Sequence, residues 1–262
     1  MAELGKRVVT GVILLFLAVV WFFYTPEPWF AWILGVLAMT ASIELLLMLK
    51  LPRARLFALF MAIVWAMLIG GAGFVDVLLA VMIGWTSLFV ITTKTDHVRD
   101  HFARLAAAQW MVIWLLLFVS AVQMLHDRHD GIVLLAGAFA GVWVADIAAY
   151  FAGRHFGTRK LCPAVSPGKT IQGFAAALVA GTVVSAIIWV GFLSLDVGLA
   201  LLLGVVLVLT AVLGDLAESA LKRAAGVKDS SALLPGHGGL LDRIDALLPS
   251  IPAVSALWLT LV

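Results

Sequence analysis

The chain has 262 residues, of which 64% are hydrophobic and only 12% are charged, and its formal net charge is +2. Soluble domains carry about 25% charged residues, so this composition excludes an ordinary water-soluble fold. The single cysteine, Cys162, excludes an internal disulfide, and one thiol does not make a metal site. Apolar runs of about 20 residues recur along the chain, which predicts an all-α, polytopic helical membrane protein.

The apolar runs predict about nine transmembrane helices. The first run, Val8 to Tyr24, is followed by Thr-Pro-Glu-Pro and not by a small-residue cleavage site, so we interpret it as a span and not as a signal peptide. The last run, Ser250 to Val262, crosses a membrane only if Leu247 and Leu248 are included. The predicted spans are residues 8–24, 29–49, 56–70, 74–92, 105–125, 131–152, 171–193, 197–213 and 250–262.

The basic residues are distributed unevenly between the segments that join these spans. Of the 17 Lys and Arg residues, 16 lie before span 1 or after spans 2, 4, 6 and 8, and only Arg128 lies in an alternate segment. Basic segments face the cytoplasm under the positive-inside rule. The sequence therefore predicts a cytoplasmic N-terminus and cytoplasmic loops after the even-numbered spans.

Ionisable residues divide the chain into two predicted regions. Residues 1–130, with spans 1–5, carry few such residues within spans and are predicted to be a transmembrane scaffold. Glu44 lies inside span 2, where pairing or snorkelling is the default interpretation. Residues 131–262 carry two polar cytoplasmic loops and are predicted to be the catalytic region.

The first polar cluster lies at the cytoplasmic end of span 6. Asp146, Tyr150 and Arg154 are spaced at i, i+4 and i+8, so they share one face of a helix. An acid within a span is costly unless it pairs or lines a wet cavity. The spacing thus indicates either a structural pair of Asp146 with Arg154 or the polar wall of a substrate cavity.

The second polar cluster is the run Ser166-Pro-Gly-Lys-Thr170, just before span 7. Its Gly-Lys-Thr is similar to the end of a P-loop, but Pro163 stands where a P-loop has its first glycine, and no strand is predicted before it. We therefore reject a P-loop. A hydroxyl at Ser166, a lysine at Lys169 and a hydroxyl at Thr170, near a helix N-terminus, instead predict a generic anion site.

The third polar cluster begins at the end of span 8 and continues to Asp245. Asp215, Ser219 and Lys222 share a helix face, whereas Glu218 and Lys222 are also spaced for a structural ion pair. Asp215 has no obvious partner in the sequence, which favours a functional role. The ingredients beyond it are bases for phosphate charge, acids for a divalent cation and glycines for close backbone approach: Lys222, Arg223, Lys228, Asp229, Asp242, Asp245, Gly236, Gly238 and Gly239.

The segment from Ser219 to Asp245 resembles the signature of the phosphatidate cytidylyltransferases, or CDP-diacylglycerol synthases. Their pattern S-x-x-K-R-x(4)-K-D-x(5)-P-G-H-G-G-x-x-D-R-x-D is met at every fixed position. The stretch Asp146 to Arg154 and the run from Ser166 are similar to two further family motifs. Gln172 departs from the second of these, because the family usually has glutamate there.

The resemblance implies transfer of a cytidylyl group from CTP to phosphatidic acid, giving CDP-diacylglycerol and pyrophosphate, at the cytoplasmic face of a bacterial inner membrane. It implies Asp215 and Asp242 as Mg²⁺ ligands, and a second, monovalent cation such as K⁺ as a candidate to share the site. The implied catalytic residues are Asp215, Asp242, Asp245 and Lys222. The implied substrate-binding residues are Asp146, Tyr150, Arg154, Ser166, Lys169, Thr170, Ser219, Arg223, Lys228, Asp229, Gly236, His237, Gly238, Gly239 and Arg243.

The expected partners are CTP, phosphatidic acid and the lipid bilayer, with a homodimer as a candidate assembly and no nucleic acid. Two rival functions stay open at this point. A CTP-dependent lipid-alcohol kinase would transfer the γ-phosphoryl group instead. A transporter would also have many spans, but the sequence shows no internal repeat, and its polar residues crowd on one side instead of the midplane.

Overall fold

The computed structural model describes residues 19–22, 24–26, 29–93, 98–234, 236 and 238–262. These residues form nine helices and one short hairpin, so the predicted all-α class is confirmed. In chain order the elements are α1 (Trp29–Met48), α2 (Ala54–Ile69), α3 (Phe74–Thr92), α4 (Val98–His126), α5 (His129–Phe156), β1 (Lys160–Cys162), β2 (Ser166–Thr170), α6 (Ile171–Leu193), α7 (Val197–Ala224), α8 (Leu241–Ile244) and α9 (Leu247–Leu261).

Seven described segments are long and apolar enough to cross a membrane. They are α1, α3, α4, α5, α6, α7 and the 21-residue stretch Leu241–Leu261, which combines α8 with α9. At 16 residues, α2 is about 24 Å long and is shorter than a hydrocarbon core of roughly 30 Å. The polytopic architecture is confirmed. The first predicted span, residues 8–24, lies mostly outside the described residues, and the cytoplasmic N-terminus stays a prediction.

The chain divides into two compact units. The first contains the described part of Met1–Leu115 together with Ala225–Arg243, and the second contains Leu116–Ala224 together with Ile244–Val262. The polar segment 225–243 is thus grouped with α1, α2, α3 and the first part of α4. The predicted division into a scaffold region and a catalytic region at residue 130 stays a prediction.

Buried indole rings link the helices of the first unit. Trp65 of α2 donates from Nε1 to Ser42 Oγ of α1 at 3.1 Å. Trp85 of α3 donates to the carbonyl oxygen of Leu105 in α4, also at 3.1 Å. Each bond satisfies an N–H group that would otherwise be buried without a partner, and so favours one arrangement of the two helices it joins.

Small residues bring the long helices of the second unit close together. A Cβ added at Gly181 of α6 would lie 2.8 Å from the carbonyl oxygen of Gly141 in α5 and 2.9 Å from Cβ of Ala145. Ser185 of α6 donates to the carbonyl oxygen of Gly137 at 3.0 Å. In lipid, such close packing and interhelical hydrogen bonds hold helices together, because there is little hydrophobic drive between them.

A short antiparallel hairpin joins α5 to α6, where the sequence predicted a loop without a strand. Lys160 pairs with Thr170, and Cys162 pairs with Ser166. That prediction was wrong because the Ser-Pro-Gly-Lys run has neither alternation nor β-branched enrichment, and the strands form through local pairing across a turn. Thr170 then caps α6, since its Oγ1 accepts from the backbone N–H of Gly173 at 3.1 Å.

Candidate active site

A cavity of about 370 Å³ lies in the second unit and is lined by α5, β1, β2, α6 and α7. On α7 the apolar lining residues precede Asp215, and on α5 Val142 and Ala145 precede Asp146, Tyr150 and Arg154, with Ala149 among them, so the cavity has an apolar end and a polar end. The apolar lining side chains are Val142, Ala145, Ala149, Leu161, Phe174, Ala177, Val208, Ala211 and Val212. The polar lining side chains are Asp146, Tyr150, Arg154, Lys169, Thr170 and Asp215, all of which except Asp215 the sequence assigned to substrate binding.

The structure supplies the partner that the sequence did not reveal for Asp215. Lys169 Nζ forms an ion pair with Asp215 Oδ2, and the two side chains are 26% and 30% exposed. Ser219 Oγ donates to Asp215 Oδ1 at 3.3 Å, as their shared helix face predicted. The hairpin and α7 therefore bring a cation and a carboxylate together at the polar end of the cavity.

The face predicted on α5 also lies against this cavity. Arg154 donates from Nη1 to the hydroxyl oxygen of Tyr150 at 2.9 Å. Asp146 lies two turns before Arg154 and lines the same cavity. A guanidinium, a phenol and a carboxylate thus follow one another along the wall, which matches the sequence interpretation of this face as the polar wall of a cavity.

Lys222 forms the ion pair with Glu218 that the i, i+4 spacing predicted. The Glu218 side chain is fully buried and that of Lys222 is 11% exposed. Lys222 therefore has a clear structural role in α7, and its role as a phosphate ligand stays a prediction. Its neighbour Arg223 donates from Nε to the carbonyl oxygen of Val165 at 3.4 Å, which ties the end of α7 to the hairpin. In the same unit, Asp245 accepts from the backbone N–H of Ala246 at 2.8 Å.

In the first unit, the carboxylate of Asp242 organises the polar segment 225–243. Its Oδ2 accepts from the backbone N–H of Ser230 at 2.9 Å, from Ser230 Oγ at 2.9 Å and from the backbone N–H of Gly239 at 2.8 Å. Gly236 and Gly238 have φ values of 76° and 77°, in the left-handed region that favours glycine. Asp242 therefore joins Ser230 to Gly239.

Glu44 of α1, for which the sequence predicted pairing or snorkelling, accepts hydrogen bonds from this region. Its Oε1 accepts from Ser231 Oγ at 2.6 Å and from the backbone N–H of Leu240 at 3.0 Å. Its Oε2 accepts from Ser230 Oγ at 3.2 Å and from the backbone N–H of Leu241 at 2.9 Å. An acid inside a span needs such partners, but those found here lie 186 to 197 residues away.

The other predicted residues of the polar segment are exposed. Lys228, Asp229, Gly236 and Arg243 all present themselves to the surface of the first unit. His237 lies outside the described residues, so its predicted phosphate or turn role stays a prediction.

The donor chemistry of the cavity is compatible with Mg²⁺. The described ranges contain no group of three or more His, Cys, Asp or Glu side chains arranged to hold a metal. Mg²⁺, however, usually takes only one or two protein carboxylates, together with waters and substrate phosphates. The carboxylates of Asp146 and Asp215 line the cavity and are ligands of this kind. The assignment of Asp215 and Asp242 to the metal stays a prediction.

Comparison with known proteins gives consistent results. The sequence model of the Cytidylyltransferase family matches residues 5–261. The chain is 47% identical to a phosphatidate cytidylyltransferase of Haemophilus influenzae over 136 residues, which cover 50% of this chain and 47% of that protein. It is 36% identical to a phosphatidate cytidylyltransferase of Staphylococcus haemolyticus over 171 residues, 64% of this chain and 65% of that protein. The chain therefore spans less than two-thirds of the length of these curated relatives.

Proposed function

This chain belongs to the cytidylyltransferase family, and from that premise we propose that it transfers the cytidylyl group of CTP to phosphatidic acid. The products are CDP-diacylglycerol and pyrophosphate. The relatives named phosphatidate cytidylyltransferase support this choice of substrates. The seven apolar segments support a lipid substrate taken directly from the bilayer.

The observation that carries the proposal is the two-ended cavity of the second unit. A lipid phosphate needs cationic and hydrogen-bonding groups, whereas the adjoining glycerol and acyl carbons need apolar walls. The polar end offers Lys169, Arg154 and Tyr150, and the apolar end offers side chains such as Ala177 and Val208. Its volume of about 370 Å³ is within the usual range for a ligand site.

In the proposed reaction, a phosphate oxygen of phosphatidic acid attacks the α-phosphorus of CTP. A new P–O bond forms while the bond from the α-phosphorus to the α–β bridging oxygen breaks, and pyrophosphate leaves with that electron pair. The lipid phosphate is already anionic near neutral pH, so the reaction needs no strong general base. Catalysis then consists mainly of positioning and charge neutralisation.

The residues divide this work between them. Lys169 and Arg154 orient the lipid phosphate, and Lys222, Arg223 and the glycine turn of residues 236–239 bind the nucleotide phosphates. Mg²⁺, when bound, neutralises charge on the triphosphate. Asp215 and Asp242 are the residues proposed to hold it, with K⁺ as a second cation. Asp245 is the fourth proposed catalytic residue, with Asp215, Asp242 and Lys222.

We propose the bacterial inner membrane as the location, with the active site facing the cytoplasm. CTP is dissolved in the cytoplasm, whereas phosphatidic acid presents its phosphate at the leaflet surface. The 16 basic residues on the predicted cytoplasmic side support this orientation. A homodimer stays a prediction.

Labelled CTP tests the proposed function. Purified protein in mixed micelles with phosphatidic acid and Mg²⁺ is incubated with CTP that carries ³²P at either the α or the γ position. Cytidylyl transfer puts the α label into the lipid fraction and the γ label into pyrophosphate. Label from the γ position in the lipid would instead indicate a lipid kinase, and no label in the lipid from either position would contradict both enzymes.

A further inference from the structure

Glu44, an acidic residue inside helix α1, accepts hydrogen bonds from the polar segment 225–243. Glu44 lies in α1, which is apolar enough to span a membrane, and the residue is only 5% exposed. A buried carboxylate is costly unless hydrogen bonds satisfy its lone pairs. Two oxygens offer about four acceptor sites, and Glu44 has four donor groups within hydrogen-bonding distance, two at each oxygen. One of them, Ser230 Oγ, shares its single proton between Glu44 and Asp242.

The four donors come from both ends of one segment. Ser230 and Ser231 lie at its start, and Leu240 and Leu241 lie at its end. Glu44 therefore acts as a clamp that holds residues 230–231 next to residues 240–241. A short closed loop has far fewer conformations than an open one.

The clamp reaches the carboxylate of Asp242 through a shared hydroxyl. Ser230 Oγ lies 3.2 Å from Glu44 Oε2 and 2.9 Å from Asp242 Oδ2. Gly239 completes the fit, because an added Cβ would lie 2.6 Å from Glu44 Oε2. The same glycine donates its backbone N–H to Asp242.

The packing of α1 has other sources. Phe30, Leu34, Ala41 and Leu45 are buried on this helix, and Ser42 bonds the indole of Trp65. The helix thus has an apolar core contact and its own hydrogen bond to α2. The carboxylate adds a desolvation cost to α1, and its hydrogen-bonding partners among the described residues lie in the polar segment 225–243.

We propose that Glu44 is a positioning residue of the active site, which fixes residues 230–231 against residues 240–241 and, through Ser230, the orientation of Asp242. The expected effect on catalysis rests on the proposed function. The positioning of the polar segment rests on the hydrogen bonds alone. Part of the N-terminal region then belongs to the catalytic machinery. The sequence had assigned this region to the scaffold.

The test compares Glu44→Gln with Ser42→Ala, a buried polar change two residues away that touches no part of the segment. Glu44→Gln replaces one acceptor oxygen by an NH₂ group, which leaves a backbone N–H of Leu240 or Leu241 facing a donor. We expect kcat for CDP-diacylglycerol formation to fall at least 10-fold, and the Mg²⁺ concentration for half-maximal rate to rise. Trypsin should also cut faster after the exposed residues Lys228 and Arg243. Ser42→Ala should keep wild-type kcat and cleavage rates.

Two further variants, Ser231→Ala alone and Ser231→Ala combined with Glu44→Gln, separate loss of the clamp from a general failure to fold. Ser231→Ala removes one donor to Glu44, and we expect the double variant with Glu44→Gln to be no slower than Glu44→Gln alone, because both act through one contact. Multiplying effects would overturn the proposal, as would wild-type kcat and trypsin cleavage in Glu44→Gln. Equal loss of melting temperature in Glu44→Gln and Ser42→Ala, with unchanged kcat, would also overturn it. The trypsin rates report the clamp even if the protein does not transfer a cytidylyl group.

Discussion

At the residue scale, Asp215 is the carboxylate on which the proposed chemistry depends most. We expect Asp215→Asn to lower turnover at least ~10²-fold, about 2.7 kcal/mol of transition-state stabilisation, because an amide is a weaker Mg²⁺ ligand. Asp242→Asn should have a similar effect. Rates of CDP-diacylglycerol formation across a Mg²⁺ titration measure both.

Asp196→Asn is the matched control for these variants. Asp196 Oδ1 accepts from the backbone N–H groups of Gly198 and Leu199 at 2.8 and 3.1 Å, so this carboxylate serves the first turn of α7. Asparagine caps a helix about as well as aspartate, so this change should leave both turnover and the melting temperature close to wild type. Wild-type turnover in Asp215→Asn would remove Asp215 from the proposed metal site.

The pair of Glu218 with Lys222 gives a prediction for stability. Glu218→Gln leaves the ammonium group of Lys222 in a buried site with its ion pair removed, which costs about 3 kcal/mol. The double variant Glu218→Gln with Lys222→Met should recover part of that loss, because the buried ammonium that lost its Glu218 partner is removed with it. Thermal unfolding in detergent measures both. An unchanged melting temperature in Glu218→Gln would show that the pair does not stabilise α7.

Gln172 stands where the family usually has glutamate, and the structure shows what its side-chain amide contacts. Its Oε1 accepts from the backbone N–H groups of Thr158 and Arg159 at 3.2 and 3.4 Å, and its Nε2 donates to Thr158 Oγ1 at 2.6 Å. A glutamate can accept from all three groups, because the hydroxyl can turn and donate. We therefore expect Gln172→Glu to keep turnover within about 3-fold of wild type, roughly 0.7 kcal/mol. A loss of 10-fold or more would mean that a neutral side chain is required here.

At the element scale, the contact of α5 with α6 positions the cavity walls. Gly181→Leu places a side chain against the backbone of Gly141, and we expect it to lower the yield of folded protein sharply. Gly191→Leu, in the same helix, is the control, because an added Cβ there meets nothing within 4 Å. Size-exclusion profiles in detergent compare the two. Equal profiles would show that close packing at Gly181 is dispensable.

The long helices could be predicted from the sequence, whereas the connections between them could not. Lipid offers no partner to backbone N–H and C=O groups, so each long apolar run has to form a helix. The last span was harder, because residues 241–246 add length without adding an apolar run. The hairpin was missed because it is made by local pairing in a segment without β propensity.

Side-chain pairs were predictable only at short range. The contacts of Asp215 with Ser219 and of Glu218 with Lys222 follow from the period of a helix. The ion pair of Lys169 with Asp215 joins two elements, and no spacing rule links them. The contacts of Glu44 were the hardest to predict from the sequence. Its serine donors lie in a loop whose sequence pattern was interpreted as phosphate-binding.

At the scale of the whole molecule, the prediction concerns sidedness. In a Cys162→Ser background, a cysteine at the exposed position Ala232 should react with an impermeant maleimide only in inside-out vesicles. A cysteine at the exposed position Asp130 should react only in intact spheroplasts. Labelling of both positions from one side would contradict the predicted orientation and the cytoplasmic location of the signature segment.

The most direct test of the central claim follows the oxygen atoms of the lipid phosphate. Phosphatidic acid with ¹⁸O in its phosphate is incubated with purified protein, unlabelled CTP and Mg²⁺, and the products are weighed by mass spectrometry. Attack of the lipid phosphate on the α-phosphorus predicts CDP-diacylglycerol that keeps every ¹⁸O atom and pyrophosphate that contains none. Pyrophosphate carrying ¹⁸O, or a lipid product with one added phosphoryl group and no cytidine, would contradict the account.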